Sequence, residues 1–161
     1  MKKSKLAIIV PYRNRKKQLD RFIKHIDKFF SDKDTDYHIF VVEQSDNKSF
    51  NQGKLLNIGF ASTIRKEYPS NRQNFDSELR TRTSYSLAKS FRRKWRDHKC
   101  SDWDFTHYAF HDVDLLPEKD VDYSYPEHHP IHLAGYTSEY DYQLQFADYF
   151  GGVTLFTREQ Y

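Results

Sequence analysis

The stretch YAFHDVDLLPE, residues 108–118, runs an aromatic segment into two aspartates, Asp112 and Asp114, with a single valine between them. Taken with the residues before it, FTHYAFHD (105–112) reads as a strand, and the two acids fall at its C-terminal end. Open α/β sheets bind ligands beyond the carboxyl ends of their strands, so this is the expected place for a site. In an extended backbone, residues two apart face the same way at about 7 Å, so Asp112 and Asp114 can address one ligand while Val113 faces the opposite side. Their oxygens suit a hard divalent cation, Mg²⁺ or Mn²⁺, which completes its shell with water and substrate phosphate. The same acids also read as the solvated start of a loop, and the pair alone does not separate the two readings.

The rest of the chain supplies the layers around that strand. Leu6 to Val10 is a continuous apolar run closed by Pro11, the pattern of a strand buried on both faces. Leu19, Phe22, Ile23, Ile26, Phe29 and Phe30 recur at helical spacing among charged residues, which predicts an amphipathic helix over 15–31. YHIFVVEQ (37–44) reads as a second strand. FNQGKLLNIGFASTIRKEYP (50–69) places Leu55, Leu56, Gly59, Phe60 and Ile64 on one face and predicts a helix over about 52–68, stopped by Pro69. This β-α-β-α order points to an α/β layered domain with right-handed crossovers. A polar loop over 69–84 and a basic helix carrying Leu87, Phe91 and Trp95 are expected next. IHLAGY (131–136) and YFGGVTLF (149–156) read as two further strands.

Composition narrows the functional classes. At 161 residues the chain is long enough for one domain with a real core, and 17% aromatic residues offset a modest 37% apolar content. The 26 basic and 23 acidic residues leave a net charge of +3, well short of a dedicated nucleic-acid binder's field, so nucleic acid is not an expected partner. A local basic face is read from Arg65 to Lys99, where eleven Lys or Arg meet four acids; its plain alternative is a solvated helix and loop. The single cysteine, Cys100, excludes an intramolecular disulfide framework. The apolar run after the basic start MKKSK spans five residues, against about 7 to 15 for a signal segment and about 20 for a membrane span. No export signal and no membrane span are read, and the expected location is cytoplasmic.

PYRNR, directly after the first strand, sets Arg13 and Arg15 at the sheet edge where the aspartates lie. Their guanidinium groups can hold phosphate oxygens bidentately. The plain alternative is a surface ion pair at a helix start, although cations there oppose the helix dipole and call for another partner. His107 and His111 share a face of the third strand and read as packing or supporting groups, since a carboxylate pair suits a hard cation better than imidazoles do.

IIVPYRNRKKQL, FNQGKLLNIGF, FHDVDLLP and YFGGVTLFTREQY occur in the order found in the β-1,4-galactosyltransferase family (glycosyltransferase family 7), and the chain resembles that family's N-terminal, donor-binding part. The resemblance implies a GT-A-like nucleotide-diphospho-sugar transferase fold, α/β, with a mostly parallel central sheet flanked by helices and truncated at the C-terminus. It implies an inverting, metal-dependent enzyme moving a hexose, usually galactose, from a UDP-sugar donor to a hydroxyl of a saccharide or glycoconjugate acceptor. Carried over by motif, Pro11, Arg13, Arg15, Phe50, Gln52, Asp112 and Val113 are the donor-binding residues, and Asp114 is the ligand of Mn²⁺ (or Mg²⁺). Phe146, Tyr149, Gly151 and Gly152 border the donor and acceptor sugars.

Three departures qualify the resemblance. Gln52 stands where the family pattern F-N-R-A-K-L has a basic residue. A basic insertion at about 65–104 lengthens the single 1–161 domain relative to the animal enzymes. The sequence stops at Tyr161, before the W-G-W-G-G-E-D-D motif that brings the catalytic carboxylate, so catalytic residues are expected downstream of Tyr161 and none is assigned here. An incomplete module that binds a UDP-sugar without turnover is the alternative reading, and a polyanion binder working through the basic segment is a third.

Overall fold

The computed structural model describes residues 4–64, 104–144 and 148–161. The expected loop over 69–84, the basic helix, the insertion, Cys100 and Phe146 lie outside the described residues. Strand β1 (Lys5–Tyr12) is followed by helix α1 (Lys16–Phe29), strand β2 (Asp36–Glu43), helix α2 (Gln52–Ile64) and strand β3 (His107–His111). Strands β4 (Ile131–His132) and β5 (Val153–Phe156) complete one five-stranded sheet in the order β2-β1-β3-β5-β4.

β1 pairs in parallel with both β2 and β3, while β5 runs antiparallel to β3 and to β4. Four strands therefore share one direction, as the sequence predicts, and β5 reverses the sheet locally. The period-2 alternation of β1 divides the core. Leu6, Ile8 and Val10 face α1, packing with Leu19, Phe22, Ile23 and Ile26, whereas Ala7 and Ile9 face α2 with Leu55 and Phe60. A strand with no solvent face has to be apolar throughout, which is why the run from Leu6 lacks the polar alternation of a half-exposed strand.

The predicted ends of several elements shift. β1 continues through Pro11, which is in register with Val42 but lies past the last β1–β3 pair, Ile9 with Phe110. Its missing N–H thus falls where that ladder has already ended. The strand predicted over 131–136 shortens to Ile131–His132, and that over 149–156 to Val153–Phe156. Gly152, at φ 69, turns the chain immediately before β5 and bars regular pairing upstream.

α2 lies very close to the sheet at Gly59, where an added Cβ would come within 2.4 Å of the Ile9 Cγ2 and 2.9 Å of the Val42 Cγ2. Alanine is the better helix former by about 1 kcal/mol, yet overpacking here costs about 1–3 kcal/mol, so Gly59→Ala is expected to destabilise the chain in urea unfolding. A variant as stable as the wild type would mean that α2 can lift from β1 and β2 without loss.

Candidate nucleotide and metal site

Three segments meet at the carboxyl edge of β1 and β3. The first is the β1–α1 connection. Asn14 adopts a left-handed conformation, φ 55, which Asn tolerates better than most residues, and the chain turns there from β1 into α1. α1 has no acid in its first turn and no side-chain cap from Arg15. The Arg15 guanidinium instead donates from Nη1 to Asp114 Oδ2 at 2.6 Å, which supplies the partner that a cation at a helix start requires.

The second segment is the loop between β2 and α2, organised by Gln44. This side chain is only 6% exposed. Its Nε2 donates to Asp46 Oδ1 at 2.6 Å and to the Lys48 and Ser49 carbonyls, while its Oε1 accepts from the Asn51 amide at 2.9 Å. Asn51 then caps α2 by accepting from the Lys54 amide at 3.0 Å. Arg13 is drawn onto the same loop. Its Nη1 donates to the Lys48 carbonyl at 2.5 Å, and its guanidinium carbon stands 5.4 Å from the centre of the Phe50 ring, a cation–π distance.

The third segment is the Asp112–Asp114 turn. β3 ends at His111, and the Leu115 amide donates back to the Asp112 carbonyl at 3.3 Å, so the acids sit on a turn and not on the extended strand that the sequence spacing predicts. The turn buries Val113 in the α1-side core, leaves Asp114 exposed and keeps Asp112 in between. Both carboxylates still border one cleft. It measures about 380 Å³ and is lined by Pro11, Arg13, Arg15, Phe50, Gln52, Asp112, Val113 and Asp114, the full set predicted for donor and metal binding.

The residues predicted to border the sugars divide. Tyr149 joins Asp112 and Asp114 around a smaller cleft of about 280 Å³. Gly151 and Gly152 line a separate cavity of about 530 Å³ with Gln52, Asp112 and several aromatic rings. Asp112 is common to all three. Gly152 is indispensable to the turn, because its carbonyl accepts the Asp112 amide at 2.8 Å and a Cβ there would approach Leu115 and Ala134 to 2.7 and 2.9 Å.

Gln44 and the carbonyl of Gly152 are contributions that sequence reasoning missed. A glutamine closing an otherwise apolar buried strand was the available signal for the first, and Gly-Gly ahead of a strand for the second. His107 and His111 are buried and hydrogen-bonded to protein groups, the supporting role expected of them. Burial pulls His111 down to about 4, so its ring is neutral at physiological pH.

Among the described residues no three His, Cys, Asp or Glu side chains gather as a metal-binding group. The cleft nevertheless offers two carboxylates and ample room. That set matches a hard cation that keeps waters and phosphate oxygens in its shell better than it matches a closed all-protein cage.

A profile of the N-terminal region of glycosyl transferase group 7 matches residues 1–76. The chain belongs to glycosyl transferase group 7. It is 33% identical to human β-1,4-galactosyltransferase 4 over 98% of its own length and 35% of that protein's. It is 31% identical to human β-1,4-galactosyltransferase 3 over 99% of its length and 32% of the relative's. Among solved structures, the catalytic domain of Drosophila β-1,4-galactosyltransferase 7 with xylobiose superposes with a TM-score of 0.63 at 29% identity, covering 97% of this chain and 50% of that one. A mutant of the same enzyme in complex with manganese, UDP-Gal and xylobiose gives a TM-score of 0.63 at 28% identity. The group 7 chain thus has the GT-A-type fold and spans about a third of the length of the curated relatives it matches.

The cytoplasmic location expected from the sequence is overturned by these relatives, because β-1,4-galactosyltransferases are Golgi type II membrane enzymes. That expectation rested on the first residues of the chain, which carry no information about an anchor outside it. Among the described residues no helix is long and apolar enough to cross a membrane.

Asp112 carries the strongest electrostatic signature of the group 7 cleft. Burial, and then the neighbouring Asp114 charge, raise its carboxyl to about 6, against the opposing pull of Arg15 and of the hydrogen bond from Gln52 Nε2 at 2.6 Å. Between the ordinary 3.8 and about 6 the folded chain holds the proton more tightly than the unfolded chain does, so this residue's contribution to stability falls as pH rises through that window. Asparagine keeps the acceptor for Gln52 without the charge. Asp112→Asn is therefore expected to melt several degrees above the wild type at about pH 7.5, with the gain vanishing near pH 4. A lower melting temperature at neutral pH would contradict this balance.

Proposed function

We propose that this chain forms the donor side of an inverting, metal-dependent glycosyltransferase that moves a hexose, galactose in the first instance, from a UDP-sugar to a hydroxyl of an acceptor saccharide or glycoconjugate. The single observation that carries the reading is the convergence of Arg13, Arg15, Phe50, Asp112 and Asp114 on one cleft at the carboxyl edge of the sheet. A relative solved with manganese, UDP-Gal and xylobiose supports the same chemistry.

In this reading Asp114, with Asp112 beside it, holds Mn²⁺ or Mg²⁺, and Arg15 faces the diphosphate. The bound ion supplies neutralisation of the charge that develops on the departing UDP. The chain's own side chains prepare for that exchange. The Arg15–Asp114 pair is about half exposed on both sides and worth about 1 kcal/mol or less, so a ligand bringing both phosphate and cation can separate it at small cost. Arg13, held by the Lys48 carbonyl and Phe50, offers a second cation to the phosphates, and the exposed Phe50 ring offers an apolar face to the base. Gln52 holds Asp112 through a neutral hydrogen bond, which leaves the local positive charge to the two arginines and the ion. Tyr149, Gly151 and Gly152 border the space for the sugars. No residue of this chain is assigned to activate the acceptor hydroxyl.

Calorimetric titration of UDP into the chain with and without Mn²⁺, alongside Asp114→Ala, tests the reading. Binding is expected to require Mn²⁺ and to weaken at least about tenfold in the variant, the scale of a lost charge-assisted contact to the ion. Affinity that ignores both the ion and the variant would refute the assignment. Equal affinity for unrelated polyanions, falling steeply with salt, would favour the polyanion reading instead.

A further inference from the structure

The turn that carries both carboxylates is fastened through its backbone, and the fastening originates in the core. The carbonyl of Asp112 accepts from His111 Nδ1 at 2.9 Å as well as from the Leu115 amide. A carbonyl oxygen can only accept, so the ring proton of His111 sits on Nδ1. In the neutral ring Nε2 is then an acceptor, and the Tyr123 hydroxyl, 2.8 Å away, donates to it. Tyr123 is itself fixed. Its carbonyl accepts from His107 Nε2 at 2.8 Å, and its ring meets Phe29 and Phe30 edge-on at 5.6 and 5.5 Å. His111 and Tyr123 are 1% and 4% exposed, and neither lines the arginine-flanked cleft.

We infer that Tyr123 and His111 are positioning residues for the carboxylate turn: the Tyr123 hydroxyl anchors Nε2 and so orients the His111 ring, whose Nδ1–H holds the Asp112 carbonyl and with it the direction of both acids. This deepens the divalent-cation and diphosphate reading above and rests on it. Without the hydroxyl, the buried Nε2 loses its partner and nothing fixes the plane of the ring. A ring that turns carries its Nδ1–H off the Asp112 carbonyl and loosens the turn. Buried groups that orient metal-facing residues in this way govern affinity without touching the ion.

The test compares the wild type with Tyr123→Phe, a change that keeps the ring and its packing. NMR of the histidine ring nitrogens, recorded without metal, is expected to show His111 protonated on Nδ1 in the wild type, with its Nε2 resonance shifted in the variant by loss of the hydrogen bond. The Asp112 and Leu115 amides are expected to exchange with solvent about tenfold faster in the variant, as local opening becomes easier. UDP affinity in the presence of Mn²⁺ is expected to fall on the order of tenfold, with the far-ultraviolet circular dichroism unchanged. A wild-type ring protonated on Nε2 would overturn the inference, and so would variant amide exchange within about twofold of the wild type. Should the wild type not bind UDP with Mn²⁺ at all, the cation reading fails by itself, and the tautomer and exchange data still decide the positioning claim.

Discussion

β1 is buried on both faces, and the rest of the structure is arranged around that constraint. Its odd and even residues pack against different helices, and each of its edges is paired with a parallel strand. Parallel neighbours on both sides bring the carboxyl ends of β1, β2 and β3 to one edge of the sheet. The segments leaving those three ends carry Arg13 and Arg15, the Gln44-braced loop with Phe50, and the Asp112–Asp114 turn. A residue on any of them is thereby brought next to residues far away in sequence, as the Arg15–Asp114 contact across 99 positions illustrates.

The cleft so formed concentrates opposed charges in a partly dry place. Asp112 is held where burial and Asp114 both disfavour its ionised form, which works against the fold at neutral pH. Arg15 and Gln52 relieve part of that penalty. The arrangement makes physical sense for a site whose ligand brings its own positive and negative charge, since an ion and a phosphate would take over the partners that the protein groups now provide for each other. Stabilising substitutions at this edge are correspondingly expected to be unfavourable for binding.

The fold was largely legible because its signals are periodic. The unbroken apolar run of β1, the 3.6-residue spacing from Leu19 to Phe29 and the face from Leu55 to Phe60 each follow from which surfaces must leave water. Element ends were less legible. Pro11 looked like a stop and is tolerated because the β3 ladder ends first, while Gly152 looked like a glycine within a strand and is a turn. At the site, the donor and metal residues could be listed from their motifs, yet their geometry could not. The D-V-D spacing implied an extended backbone, whereas a turn buries Val113 and fans the acids outward. The brackets of the site, Gln44, the Gly152 carbonyl and the Tyr123–His111 pair, act through hydrogen bonds to backbone. Such bonds leave almost no trace in a sequence, because many residue types can accept or donate them.

The central claim is that the carboxylate turn and the two arginines form one nucleotide-diphosphate and cation site. The most direct measurement is an anomalous difference map from crystals of this chain grown with UDP and Mn²⁺. The result expected is one strong manganese peak within coordination distance of an Asp114 oxygen, bridged to a diphosphate that contacts Arg15, with the Arg15–Asp114 bond broken. Manganese absent from the turn, or UDP lodged away from Arg13 and Arg15, would contradict it.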